Sequence, residues 1–393
     1  MGKPAYTRKI LCSFIHSFVK HGNDMTTLQI SDERTREDGK LRLVYEPINR
    51  LLSVKGELDD VSDYDSSCLN FPVRVVAEIT SRCNMRCDYC SQGNNPEGKS
   101  LDLGDILRII DEVDAFYAFE LSIRGAEALL HPNFDDIWSY AVGKEFVSTN
   151  LITNGTLLDE EKVLSMLQNP RSKIIVSLDG PKEINARFRS TYQYEKVMKW
   201  LIPILRQKRD QIVVLTTVYR QNYEQIPEFA THLSGLRLRH YHLSLLKQLG
   251  DLRQGGIEQI KLNEMYQLEE GMDTIVKTNP SFKPVISSPF FNEKRDMLTG
   301  ISISLFTEYY CGSGMKILSD GRIGISQIIY FDDVSQNKFT RKNQIRRNCL
   351  GKIDDGKSLR DIWVDSKKIR IKQTKMAQEI YPFFLGIETP IAQ

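Results

Sequence analysis

The 393-residue sequence has no stretch approaching the roughly 18 consecutive apolar residues of a membrane span, no internal repeat and no low-complexity tract. Membrane-spanning, solenoid and disordered classes are set aside on those grounds. Net charge is almost lacking too, with 53 Lys and Arg against 51 Asp and Glu and a formal +2. Overall electrostatics therefore require neither a nucleic-acid nor a membrane partner. Cysteine is too sparse for a disulfide scaffold: seven residues, an odd number, at 12, 68, 83, 87, 90, 311 and 349. A chain of this length folds without staples, so a reducing, cytoplasmic setting is expected. Near the N-terminus, Lys3, Arg8 and Lys9 precede the apolar run Ile10–Val19, the order of a signal peptide. The small-residue cleavage site is missing, His16 interrupts the run, and the apolar positions have helical spacing, so this segment reads as an amphipathic helix.

What is present is a pattern. Residues 1–71 are an appended segment holding that helix and one hairpin, Lys40–Tyr45 with Leu51–Val54, around Pro47-Ile48-Asn49. From 72 to 248, β-branched runs at Val73–Ile79, Phe119–Ile123, Val147–Ile152, Ile174–Leu178, Ile212–Val218 and Tyr241–Leu246 alternate with amphipathic stretches. Those stretches are Leu103–Phe116, Phe134–Val142, Asp159–Leu167, Tyr194–Arg209 and Tyr223–Leu236. Six β/α units in series predict an α/β fold with a parallel sheet, curled into a partial barrel or left open. Residues 249–300 read as a helical connector. Residues 301–393 read as a small α+β unit, with a hairpin at Asp320-Gly321 and a C-terminal helix around Leu359–Lys375.

In parallel sheets, ligands gather at the loops after the carboxyl ends of strands. After the first predicted strand comes Cys83-Asn84-Met85-Arg86-Cys87-Asp88-Tyr89-Cys90, a C-x3-C-x2-C spacing. Three thiolates from one loop suit iron–sulfur or zinc ligation, and no fourth Cys or His follows within ten residues to close a structural zinc site.

This loop resembles the signature of the radical S-adenosylmethionine (radical SAM) superfamily, with an aromatic residue, Tyr89, before the last Cys. The resemblance implies a partial (β/α)6 barrel and a [4Fe–4S] cluster on Cys83, Cys87 and Cys90 whose open iron binds SAM. It also implies reductive cleavage of SAM to a 5′-deoxyadenosyl radical that abstracts a substrate hydrogen. A one-electron donor such as flavodoxin or ferredoxin is the implied partner. After the second strand, Gly125-Ala126-Glu127-Ala128-Leu129-Leu130-His131-Pro132 is similar to the family's G-G-E-P-L-L-H-P stretch, with Ala126 and Ala128 replacing Gly and Pro. The resemblance assigns Gly125, Ala126 and Glu127 to the SAM ammonium. Thr153 and Asn154 after the third strand and Ser177 and Asp179 after the fourth are assigned to SAM's ribose and carboxylate or to the substrate, and Arg189 beyond them matches a family arginine that faces the SAM carboxylate. His131 is read as a loop or packing residue. His240 and His242, two apart and so on one face of a strand, are read as ordinary strand positions with substrate contact as the alternative.

The C-terminal unit looks like the SPASM or twitch extension of radical SAM enzymes, through Cys311-Gly312-Ser313-Gly314-Met315, Gly321, Cys349-Leu350-Gly351 and Leu359-Arg360-Asp361-Ile362-Trp363. Ser326 stands where the family has a ligand Cys. Two thiolates do not normally hold a cluster, so the extension is expected to keep its fold without an auxiliary iron–sulfur cluster unless Cys68 or a non-Cys ligand is brought in. Cys311 and Cys349 are candidate hydrogen-atom donors beside the plainer reading of buried small hydrophobes; Cys12 and Cys68 have no assigned role. The basic run Lys367–Lys375 reads as a solvated helix end.

The expectation is an oxidoreductase- or epimerase-type radical SAM enzyme acting on a ribosomally made peptide. The alternatives are an epimerase or dehydrogenase acting on a sugar, aminoglycoside or other small natural-product intermediate, and a non-catalytic iron–sulfur or zinc protein.

Overall fold

Short runs dense in Val, Ile and Leu, separated by capped amphipathic helices, build the centre of the chain. The computed structural model describes residues 69–90, 97–207, 209–246, 256–287, 314–325 and 349–371, with the short strands at 34–38, 41–46, 51–55 and 302–303. The amphipathic helix expected at residues 10–19, Cys12, Cys68, Cys311 and Ser326 lie outside the described residues.

The first three strands, β1 (Arg34–Asp38), β2 (Leu41–Glu46) and β3 (Leu51–Lys55), form an antiparallel sheet with Arg42 opposite Lys55 and Tyr45 opposite Leu52. The expected hairpin is β2–β3, and β1 is an addition to it.

Six parallel strands follow in sequence order: β4 (Arg74–Glu78), β5 (Glu120–Arg124), β6 (Ser148–Thr153), β7 (Ser172–Ser177), β8 (Ile212–Val218) and β9 (His240–Leu245). Between them run α1 (Leu103–Ala115), α2 (Phe134–Val142), α3 (Glu160–Met166), α4 (Lys182–Phe188), α5 (Thr191–Arg206) and α6 (Ile226–Gly235). Side chains set several of the starts. Asp159 accepts from the Lys162 N–H at 2.8 Å ahead of α3, and Ser190 accepts from the Gln193 N–H at 3.4 Å ahead of α5.

The stretch 249–300 is more than a helical connector. It holds α7 (Leu262–Thr278) and a strand, β10 (Lys283–Ser287), which pairs parallel with β9 and continues to β11 (Ser302–Ile303). On the other side of β4 lies β12 (Gly314–Ile317), parallel to it, with Gly314 opposite Arg74 and Ile317 opposite Ala77. Then β13 (Arg322–Ile325) and β14 (Gly351–Lys352) follow, both antiparallel to their neighbours. The C-terminal hairpin is thus an extension of the central sheet.

Helix α8 (Leu359–Asp365) follows, with one further helical turn at 367–371 ending the described residues. It is held by Trp363, whose Nε1 donates to the Leu69 carbonyl at 2.8 Å. Arg370, expected on a solvated helix end, is instead buried: its guanidinium lies 4.0 Å over the Trp363 ring and its Nε donates to the Trp363 carbonyl at 3.1 Å. Lys367 and Lys368 are exposed as anticipated. The core consists of alternate strand residues, Val75, Ala77, Leu121, Ile123, Leu151 and Val176 among them, packed against the apolar stripes of the helices. Among the described residues no helix is long and apolar enough to cross a membrane.

Candidate active site

The cysteine loop leaves the carboxyl end of β4 and is clamped by the loops after each of the next three strands. The Ala126 N–H donates to the Thr80 carbonyl at 3.0 Å and the Glu127 N–H to the Arg82 carbonyl at 2.8 Å. A side chain at Gly125 would place its Cβ 2.5 Å from the Thr80 carbonyl oxygen, so only glycine permits this approach. Asn84 donates to Thr156 Oγ1 at 2.9 Å and accepts from Asn154 Nδ2 at 2.9 Å. The Asp88 N–H donates to the Phe188 carbonyl at 3.2 Å. Cys83 and Cys87 are half-buried and Cys90 is exposed.

Burial pushes the Cys87 thiol up to about 12, against the opposing pull of Arg189, and raises Cys83 as well. Such thiols keep their protons at neutral pH until a metal displaces them. Among the described residues no three Cys, His, Asp or Glu groups converge tightly enough to hold a single metal ion. Soft donors, their number and a half-open setting fit an iron–sulfur cluster.

Glu127 stands at the head of a short helical turn, Ala128–Leu130, just after β5. Its carboxylate is fully buried and accepts from Thr153 Oγ1 at 2.8 Å, from the Asn154 N–H at 2.8 Å and from the Leu129 N–H at 3.2 Å. Burial raises its pKa, and the bonds from Asn154, Thr153 and Leu129 pull it back. In this structure Glu127 is a clasp between the loops after β5 and β6, and Thr153 and Asn154 are its partners. Gly155 follows with φ +77°, and a Cβ there would meet Val176 and Val197 at 2.8 Å.

Asp179 gathers the remaining predicted residues. Its Oδ2 accepts from Arg189 Nε at 2.7 Å and from the Tyr89 hydroxyl, while Oδ1 accepts from the Thr217 N–H at 3.1 Å. Arg189 Nη1 lies 3.9 Å from Cys87 Sγ, and the guanidinium sits 5.3 Å over the Tyr89 ring. Tyr89 also packs beside Tyr219 and Phe188, in an apolar patch with Leu246 and Ile257.

Two buried residues that the sequence reading passed over hold this arrangement. Asn185 accepts from the Asp179 N–H at 3.0 Å and donates to Gln193 Oε1 at 2.7 Å. Gln193 Nε2 donates in turn to the carbonyls of Asn154 at 2.8 Å and Ser177 at 2.7 Å. The available sign was Gln193's place on the buried stripe of α5 with Val197 and Trp200.

His131 is a packing residue, buried, with Nε2 on the Leu101 carbonyl at 2.8 Å and Nδ1 accepting from the Asn133 N–H at 3.1 Å. His240 and His242 share the sheet face turned away from the helices, and burial lowers His240 to about 4. Cys349 is half-buried, and its Sγ donates to the Gly351 carbonyl at 3.0 Å. It precedes β14, which is three strands removed from β4 in the sheet order. The structure does not bring Cys349 to the loops that carry the other three cysteines.

Residues 77–233 match the radical SAM superfamily model. Over 166 residues the chain is 27% identical to mycofactocin maturase MftC of Mycobacterium tuberculosis, a match spanning 42% of each protein, so less than half of that relative's length is covered. Over 312 residues it is 29% identical to the tungsten-containing aldehyde ferredoxin oxidoreductase cofactor-modifying protein of Pyrococcus furiosus, spanning 75% of this chain and 81% of that one. The crystal structure of Streptococcus suis SuiB superposes with a TM-score of 0.64 at 15% identity, covering 88% of this chain and 89% of SuiB. SuiB bound to the precursor peptide SuiA gives 0.59 at 17% identity, over 91% of this chain and 78% of SuiB. At such identity the likeness concerns the fold alone.

Proposed function

The chain belongs to the radical SAM superfamily, whose chemistry uses a [4Fe–4S] cluster and SAM, and we propose that it turns that chemistry on a ribosomally made peptide. The observation that carries the reading is the thiol triplet at the carboxyl end of β4, fixed by the loops after β5, β6 and β7. When bound, cluster and SAM supply one-electron cleavage of the sulfonium and a primary radical that takes a substrate hydrogen.

The chain supplies the rest. Cys83, Cys87 and Cys90 are the residues that would hold the cluster. Arg189, fixed by Asp179, brings a cation to Cys87 and lowers the cost of gathering thiolates there. Glu127 locks two ligand-facing loops together, so that the half-buried backbone around Ala126 and the residues Ser177, Asn154 and Arg189 are held in one relation to the cofactor. Tyr89 forms an aromatic wall against water.

The peptide reading is supported by the fold shared with SuiB, which has been seen with a precursor peptide, and by the similarity to a maturase over the core. A leader segment would be held by the flank that carries the β1–β3 sheet, and a flavodoxin- or ferredoxin-type donor would deliver the electron. A second reading, modification of a small molecule, is favoured by the 312-residue match to a cofactor-modifying protein. Cys311 remains the candidate hydrogen donor in either case.

The test is anaerobic iron and sulfide quantitation on the wild type and on a Cys83→Ala/Cys87→Ala/Cys90→Ala variant, followed by incubation with SAM and dithionite. About four irons, all lost in the variant, are expected, together with 5′-deoxyadenosine from the wild type only. A short peptide encoded beside the gene should then gain a mass change. Wild-type protein that carries its irons yet never yields 5′-deoxyadenosine would sink the reading.

A further inference from the structure

The helix-covered face of the central sheet is apolar, and the opposite face is not. Alternate residues on β4, β5 and β6 place Arg74, Glu78, Glu120, Ser122, Arg124 and Asn150 there. Glu78, Glu120, Ser122 and Asn150 are buried, while Val76, Arg124, Ile152, Leu215 and Thr217 on the same face are half-buried. A wall that served packing alone would be apolar, because paired buried charges offer little over well-packed hydrophobic side chains and unpaired ones cost several kcal/mol.

The charges on this face form two close contacts and one looser one. Arg74 Nε lies 3.1 Å from Glu120 Oε1, and Lys316 Nζ lies 2.8 Å from Glu78 Oε1. Arg124 Nε stands farther off, 3.7 Å from the same Glu78 oxygen, and makes no hydrogen bond. Among the described residues of this face on β4, β5 and β12, three cations therefore meet two carboxylates. Lys316 makes the difference. It comes from the C-terminal hairpin, opposite Val76, and takes up the carboxylate that would otherwise neutralise Arg124. The Arg124 side chain is 26% exposed, and its remaining N–H donors form a planar fork suited to a carboxylate. It is also the last residue of β5, directly before Gly125-Ala126-Glu127, so this surplus cation lies immediately beneath the cofactor loops.

We propose that Arg124, with Glu78 and Lys316 behind it, reads an acidic side chain of the peptide substrate, an inference that rests on the peptide-modifying reading above. The paired charges set how much of the guanidinium is left for the substrate, and Arg124 is a specificity-determining contact.

The experiment uses anaerobic holoprotein with SAM and two N-acetylated, C-amidated hexapeptides that differ only by one Glu or Gln, with binding followed by saturation-transfer NMR. The Glu peptide should bind about tenfold more tightly, the worth of one charge-assisted hydrogen bond in a partly wet site. Arg124→Gln should erase that preference and Arg124→Lys should keep part of it. Lys316→Met, which hands Glu78 to Arg124, should weaken it with Arg124 still in place. Iron content and SAM binding by equilibrium dialysis show whether each variant is assembled, and Arg124→Lys carries the test if Arg124→Gln is not. The inference is overturned if wild-type protein binds both peptides alike or neither, or if Arg124→Gln keeps the preference. Wild-type protein that fails to bind SAM would instead overturn the radical SAM reading itself.

Discussion

Replacing Asp179 by Asn removes one charge and almost no volume, at the point where Arg189, Tyr89 and the Thr217 N–H meet. The Asp179 side chain is 0% exposed and that of Arg189 9%, so water cannot take over solvation of a guanidinium left without its carboxylate. Stripping one partner from a buried pair costs about 3–5 kcal/mol. The introduced amide oxygen still accepts one hydrogen bond, which puts Asp179→Asn near the lower end, about 3 kcal/mol. Arg189→Met leaves the opposite charge stranded at a similar cost. The double variant buries neither charge and should lose less than the sum of the singles by about 2 kcal/mol or more, the coupling expected for groups in direct contact. Urea unfolding of the four proteins under anaerobic conditions at pH 7 gives the cycle, provided that the slopes agree. Cluster loading gives an independent readout, because Arg189 Nη1 sits 3.9 Å from Cys87 Sγ; both single variants should incorporate less iron. Single-variant losses that simply add, within about 0.5 kcal/mol, would refute the idea that Asp179 and Arg189 act as one unit.

Two further perturbations test other parts of the fold. Burial lowers His240 to about 4 from 6.5, below its value in the unfolded chain, so as pH falls the unfolded state takes up the proton first. Its contribution is complete above pH 6.5 and declines toward pH 4, by about 2 kcal/mol already at pH 5. His240→Gln should flatten that part of the acid limb in urea midpoints taken at pH 7 and pH 5, and an unaltered slope would mean that the ring is not buried neutral. Trp363→Phe deletes the donor to the Leu69 carbonyl and leaves a buried acceptor unsatisfied, a loss of about 1–3 kcal/mol. Thermal unfolding should register it as a lowered midpoint, and an unchanged one would mean that this bond does not anchor α8.

The six core strands are legible because each is a β-branched run bounded by polar breaks, and the structure moves their ends by only a residue or two. Strand β10 is hidden by its own composition. Lys283 and Pro284 open it, proline argues against a strand in a sequence, and its place in the sheet comes from pairing with β9 and β11. Helix α4 shows only a short apolar pair, Ile184 and Phe188, and is held by buried Phe188 together with Asn185, whose contact follows from the fold rather than from periodicity. In the site, Cys83, Cys87 and Cys90 are visible because their spacing is itself the chemistry. That Glu127 spends its carboxylate on Thr153 and Asn154 is not visible, since those partners come from a different strand. The same holds for Arg189 and Asp179, which a sequence motif treats as two ligand contacts and the structure joins into one ion pair.

The C-terminal hairpin resembles an extension built around additional metal ligands, yet Ser326 stands where one of them is expected in the sequence and Cys349 lies beside β14, three strands removed from β4. Its register gives it another reason to persist. Without β12, β4 would be an edge strand, with unpaired N–H and C=O groups in the strand that delivers the cysteine loop. Pairing of β12 with β4 satisfies them, and Arg108, donating to the Ile353 carbonyl at 2.8 Å, ties the far side of the unit to α1. The same pairing carries Lys316 to Glu78. A hairpin that steadies the first strand and adjusts the charge beneath the cofactor loops is useful whether or not it holds metal. Loss of a ligand such as that at Ser326 would therefore leave the hairpin's fold under selection, through Lys316, Met315 and Ile317 rather than through its cysteines.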